Sequence, residues 1–199
     1  MKISIRKSIR QQPPLIIKQG ALISQPYLLY VGNAYPHKNL EGLIKVFFEI
    51  NKKLPGLKLI LAGGEDYFYI RLKQYAKKFS NNIIFLGHVP DSELKALYAK
   101  AALYVFPSFY EGFGLPPIEA MAHGLVVVSS NKTCLPEILG QAALYFNPED
   151  EIDMKNKIEQ ALADEKLREN LRNRGYEQAK KYSWSRCTSQ TLKVYKNCL

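Results

Sequence analysis

Short apolar runs alternate with helix-length amphipathic stretches along most of this chain, and that alternation restricts it to a parallel α/β fold. Residues 27–31, 57–62, 83–86, 103–106, 125–129 and 143–146 are apolar runs four to six residues long, the pattern of strands buried on both faces. The spacing predicts helices over about 38–54, 68–79 and 91–101, then over about 149–163, 164–181 and 183–198. Pro55-Gly56 closes the first helix, Gly63-Gly64 stops a strand, and Asp91 or Ser92 is the expected cap of the third helix. Strands joined through helices pair in parallel by right-handed crossovers. That places helices on both faces of one sheet and ligands at the carboxyl ends of its strands. The glycine-bearing, polar loops at 32–39, 63–66, 87–91, 107–116 and 129–135 all follow strands.

A chain of 199 residues that is 47% apolar fills one such domain. Residues 1–25, with Pro13-Pro14 and no sustained periodicity, read as a basic arm or linker, and 26–199 as a single Rossmann-like domain that includes the C-terminal helices. No apolar run follows the basic N-terminus as in a secretory leader, and none reaches the roughly 18–20 residues that span a bilayer. Cys134, Cys187 and Cys198 are widely spaced and contain no CxxC pair, so they read as reduced cytoplasmic thiols and not as a zinc site. The formal charge of +10 is concentrated early: Lys2, Arg6, Lys7, Arg10, Lys18 and Lys38 precede the first acid, Glu41. Such an arm suits solvent, a phosphorylated ligand or a peripheral contact with anionic membrane at the inner surface. Nucleic acid is disfavoured, because no zinc-finger, RNP-like or basic-heptad pattern accompanies the charge.

The chemistry concentrates in Ser108-Phe109-Tyr110-Glu111-Gly112-Phe113-Gly114-Leu115-Pro116-Pro117-Ile118-Glu119-Ala120-Met121-Ala122-His123-Gly124. Pro117 suits the first position of a short helix, Gly124 its left-handed terminus, and Glu119 its first turn. Gly112 and Gly114 let backbone N–H groups approach an anion, aided by the helix start. Yet the loop also carries two carboxylates, Glu111 and Glu119. One ligand with both phosphates and hydroxyls explains both features, and a nucleotide-sugar is such a ligand. Lys38 stands near a helix start, where a cation is unfavourable unless an anion joins it.

The ordered set of motifs resembles the C-terminal, donor-binding domain of family 4 retaining glycosyltransferases of the two-Rossmann-domain GT-B type. It runs through Tyr30-Val31-Gly32-Asn33, Pro36-His37-Lys38-Asn39-Leu40, Leu61-Ala62-Gly63-Gly64 and Phe85-Leu86-Gly87-His88-Val89. Pro107-Ser108 then leads to Glu111 and Glu119, followed by Leu135-Pro136-Glu137-Ile138 and Tyr182-Ser183-Trp184. The resemblance implies that Glu111 and Lys38 are catalytic, with Glu111 at the donor sugar and Lys38 on the diphosphate. It implies that Glu119 accepts from the two ribose hydroxyls, that Gly112, Phe113, Gly114 and Leu115 hold the diphosphate, and that the loop around Val89 borders the base. Gly32, Asn33 and Gly63 fall along the same donor site; the family carries a basic residue where this chain has Asn33. The resemblance implies a nucleotide-diphospho-sugar donor, no cofactor and no metal, in keeping with the absence of a DxD motif. It also implies a separate N-terminal acceptor domain or subunit.

Other readings stay open at this stage. The chain is a non-catalytic nucleotide-sugar-binding or regulatory subunit, or a nucleic-acid-associated Rossmann domain. As a glycosidase it would use Glu111 and Glu119 as a carboxyl pair about 5–9.5 Å apart. His37 and His123 read as structural, His88 as a satisfied polar residue, and Glu137 as a loop anchor. Trp184, Cys187, Tyr195 and Cys198, at near-helical spacing, read as packing residues, with an apolar stripe ending in Trp184, Tyr195 and Leu199 that seeks a partner where no acceptor domain is present.

Overall fold

The computed structural model describes residues 15–16, 22–23 and 26–198. Within the span expected to be an arm, β1 (Leu15–Ile16) pairs antiparallel with β2 (Leu22–Ile23), and Ile23 is fully buried. The remainder of the arm, and Leu199, lie outside the described residues.

The apolar runs form β3 (Tyr27–Val31), β4 (Lys58–Ala62), β5 (Ile83–Gly87), β6 (Leu103–Phe106), β7 (Val127–Ser130) and β8 (Ala143–Phe146). They make one sheet of order β5-β4-β3-β6-β7-β8 in which every neighbouring pair is parallel. From β3 the chain moves outward through α1 (Leu40–Lys53) to β4 and through α2 (Tyr67–Ala76) to β5. It returns by α3 (Asp91–Lys100) to β6, on the other side of β3, and continues through α4 (Leu115–Ala122) to β7 and α5 (Leu135–Leu139) to β8. Right-handed crossovers that run in opposite directions must lie on opposite faces, so the reversal clothes both sides of the sheet. Next, α6 (Glu151–Ala163) packs against α1, and α7 (Glu165–Ala179) against α4. The reversal also opens a crevice between the carboxyl ends of β3 and β6, where this topology binds ligands.

The core contains tyrosines whose hydroxyls stay hydrogen-bonded to backbone, as burial requires. Tyr104 donates to Val31 O (3.1 Å) and Tyr30 to Asn33 O (2.8 Å), both at the end of β3. Tyr69 donates to Leu61 O (3.1 Å) and accepts from Gly87 N (2.8 Å), joining the ends of β4 and β5. The strand ends are also tied directly, through Gly32 N to Ala62 O and Gly63 N to Gly87 O, both 2.9 Å. Gly63 is required here: a Cβ would sit 2.0 Å from the Gly32 carbonyl oxygen.

Several local expectations need correction. α4 begins at Leu115, so Pro116 and Pro117 are its second and third residues and Glu119 lies beyond its first turn. The start is set by Gly114, left-handed at φ 90°, and the end by Gly124 at φ 72°. α3 is preceded by Pro90; Asp91 is already helical, and no side chain caps that end. Residues 135–139, starting at the last residue of the expected 129–135 loop, form a short helix. α8 (Trp184–Asn197) buries none of its residues, so Trp184, Cys187 and Tyr195 are exposed and do not pack internally; Cys198, just past its end, is exposed as well. The helix is amphipathic, but among the described residues none buries its apolar face.

Gly63→Ala should cost about 2 kcal/mol or more, because the clash is with backbone and cannot be relieved by a rotamer change; a urea midpoint within error of the parent would refute the tight crossing. Burial raises the Tyr69 and Tyr145 phenols to about 12 from 10. Their contribution is complete below pH 10, the unfolded value, and is lost as pH rises through 12. Denaturation midpoints should therefore fall between pH 10 and 12, with the fall accompanied by tyrosinate absorbance.

Candidate functional site

Two loops meet over the crevice between β3 and β6. After β3, Pro36–Lys38 forms a single 3-10 turn that ends at Asn39, left-handed at φ 53°. Asn39 is anchored by its amide to Pro148 O (2.9 Å). After β6, the chain runs from Pro107 to Gly114, and Phe109 N donates to His37 O at 2.8 Å, stitching the loops together. That contact aligns Lys38 with Glu111, whose Nζ and Oε1 are 2.7 Å apart. Both side chains are nearly buried, at 13% and 11% exposure, and the Lys38 ammonium lies 5.9 Å from the centre of the Phe106 ring. A pair so shielded is coupled more strongly than surface pairs, yet each charge has lost much of its hydration. It therefore offers a positive and a negative group, already desolvated, at one point.

The Glu111 backbone is held from the third loop at the carboxyl edge. Its N–H donates to Thr133 Oγ1 (3.2 Å), and its carbonyl accepts from the Cys134 thiol (3.2 Å). Thr133 adopts φ 53°, a strained value for a β-branched residue, to do so. Thr133 did not stand out in the sequence and Cys134 read there only as a reduced thiol; their only signal for the site was a position in a loop that follows a strand. Gly114 is needed for its positive φ and because a Cβ would come within 2.9 Å of Leu135. Gly112 has open space around its Cβ position and an ordinary φ, so neither crowding nor strain accounts for it without a ligand.

Glu119 is placed separately. It is exposed, projects from α4, and accepts from the Tyr98 hydroxyl at 3.2 Å. It lines a groove of about 810 Å³ together with Phe113, Leu115, Ile118, Tyr182 and Trp184. Phe113 meets Tyr182 edge-on, and no side chain caps the start of α4. Leu115, the first residue of α4, lines the same groove as Glu119 and follows Glu111 by four residues. Gly32 and Gly63 touch at the strand ends, and Asn33 follows them with its Oδ1 buried and lacking a partner among the described residues, as does Ser108 Oγ. Val89 is buried, so its side chain belongs to the core of the loop after β5. His37 serves through its carbonyl, and His123 stacks on Tyr98. Glu137 is exposed on α5. Among the described residues no three His, Cys, Asp or Glu side chains converge as a metal site, and no helix is long and apolar enough to cross a membrane.

A doubly clothed parallel sheet with charged loops at its switch point defines a Rossmann-like domain. The chain belongs to the glycosyl transferases group 1 family, whose model matches residues 14–178. It is 41% identical over 187 residues to O-antigen chain mannosyltransferase B of Escherichia coli, covering 91% of this chain and 48% of that protein. It is 34% identical over 174 residues to the serotype-specific mannosyltransferase WbdA of the same organism, covering 85% and 21%. Among solved structures, it is similar to sucrose-phosphate synthase from Thermosynechococcus elongatus, with a TM-score of 0.76 and 28% identity over 87% of this chain and 45% of that one. The chain thus spans about half the length, or less, of these relatives.

Lys38→Met should destabilise the domain by about 1–3 kcal/mol by leaving the nearly buried Glu111 carboxylate without its cation, and adding Glu111→Gln should restore most of that loss. A double-mutant cycle by urea denaturation that gives a coupling below about 0.5 kcal/mol would mean the pair is screened by solvent.

Proposed function

We propose that this chain is the donor-binding domain of a retaining, metal-independent glycosyltransferase of family 4, acting on a nucleotide-diphospho-sugar with an acceptor-binding domain or subunit. The observation that carries the reading is the Lys38–Glu111 pair, held nearly buried at the switch point beside an uncapped helix start. The diphosphate lies along the N–H groups of Phe113, Gly114 and Leu115, with Gly112 open beside them. Lys38 turns to it, exchanging a carboxylate partner for a phosphate one. Glu111, released, faces the sugar hydroxyls and the positive charge that builds at the anomeric carbon. The bond from that carbon to the phosphate oxygen breaks, and the acceptor oxygen bonds to the carbon from the same face. Its proton passes to the departing phosphate. Glu119 accepts from the ribose hydroxyls, and the loop at Val89 borders the base. Asn33 leaves Lys38 as the main side-chain cation of the clamp.

The names of the curated relatives make a mannosyl donor and a growing saccharide the first pair to test. The amphipathic α8, exposed here, supports an acceptor domain as its partner. The basic arm supports a cytoplasmic protein that visits the inner membrane surface. A non-catalytic donor-binding subunit remains the second reading, favoured by Asn33 in place of a base, and differs in having no turnover once the acceptor domain is supplied.

Glu119→Ala should weaken nucleoside diphosphate binding by about 2–4 kcal/mol in calorimetry, whereas Glu111→Gln, which frees Lys38, should leave it unchanged or tighter. With the acceptor domain added, Glu111→Gln should abolish most sugar transfer. Equal losses of nucleotide binding in both variants would reduce Glu111 to a folding role.

A further inference from the structure

A glutamate on an exposed helix surface has three rotatable bonds and no fixed direction, so recognising two hydroxyls at once requires something to hold it. Here that restraint comes from α3. The Tyr98 hydroxyl donates to Glu119 Oε2 at 3.2 Å. The tyrosine itself cannot swing aside: it is 2% exposed, with its ring lying nearly parallel to the His123 imidazole (5.5 Å, 13°) and against Tyr104 (5.9 Å, 53°). His123 ends the helix that carries Glu119, so Tyr98 grips α4 at both places. Burial, and then the Glu119 carboxylate, hold the phenol protonated far above its ordinary range. It is a donor at every working pH.

We propose that Tyr98 is a positioning residue that pins one oxygen of Glu119 and thereby sets the site to read a cis-diol, selecting ribonucleoside over 2′-deoxyribonucleoside diphosphates. An ionised carboxylate has about four acceptor positions on two oxygens. Tyr98 occupies one on Oε2, which leaves one there and both on Oε1. Two hydroxyls on adjacent carbons can use one oxygen each. A ligand lacking the 2′-hydroxyl leaves a desolvated carboxylate oxygen unmatched, which is where strong discrimination comes from. Without the tyrosine the carboxylate can still accept one hydroxyl, but it must be ordered by the ligand itself. The inference rests on the ribose role of Glu119 proposed above.

The test is calorimetric titration of the full chain with guanosine, uridine and adenosine 5′-diphosphates, each beside its 2′-deoxy analogue. The parent should favour the ribose form of its preferred base by roughly tenfold or more. Tyr98→Phe keeps the stacked ring and should keep the circular dichroism spectrum. It should weaken the ribose form several-fold, weaken the deoxy form less, and add no further loss to Glu119→Ala. A Tyr98→Phe protein with the parent's ribose preference overturns the proposal, as does an equal loss on both sugars, which marks a merely structural tyrosine. If Glu119→Ala retains full ribose affinity, or no nucleoside diphosphate binds the parent, the ribose role itself fails and the proposal with it.

Discussion

The carboxyl edge of a parallel sheet releases backbone groups from the ladder exactly where a ligand must approach, and each group must find another partner or stay wet. This domain answers with phenols and crossed loops. Tyr104 and Tyr30 satisfy carbonyls at the end of β3, while Tyr69 links the ends of β4 and β5. Each ring fills the core and each hydroxyl finishes a strand, so the packing of the interior and the shape of the binding edge are one problem. The close meeting of Gly32 and Gly63 follows from it, since the strand ends approach to a distance that leaves no room for a Cβ. The loops that carry the charged residues start from this rigid rim.

On that rim Lys38 and Glu111 satisfy each other at low exposure. This stores two charges in a partly dehydrated place without leaving either unpaired, which would be costly. In the proposed cycle a diphosphate draws the lysine away, and the glutamate becomes available to the sugar only once the donor is seated. The Thr133 and Cys134 contacts keep the Glu111 backbone in place throughout, so the exchange needs side-chain motion alone. Glu119 belongs to a different local structure. It is carried by α4 and steadied from α3, at the edge of a broad groove whose far wall is the start of α8.

Most of the architecture could be read in the chain. The six apolar runs became the six strands, with ends shifted by at most two residues, because a strand buried on both faces can tolerate little but apolar side chains. Gly124 ends α4 as the sequence implies, and α2, α6, α7 and α8 start within two residues of the expected positions, although their caps, Asp66, Asp150, Asp164 and Ser183, were recognised only in the structure. The errors came where local signals compete. Two prolines in succession fit several of the first helical positions, and only the left-handed Gly114 decided for Leu115. α8 has the periodicity of a packed helix, but periodicity says only that one face is apolar, not that the same domain covers it.

By itself, then, the amino-acid order determined the α/β class and most places where the chain turns, and it put Lys38, Glu111 and Glu119 in segments that follow strands, since these follow from spacing and residue chemistry along a single line. Only the tertiary structure decided who meets whom. Lys38 and Glu111 are 73 residues apart and touch because the strand order reverses between β3 and β6. Tyr98, unremarkable in sequence, reaches Glu119 because α3 and α4 converge there. Strand order and helix convergence arise from long-range packing of surfaces, which the local pattern of one chain leaves degenerate.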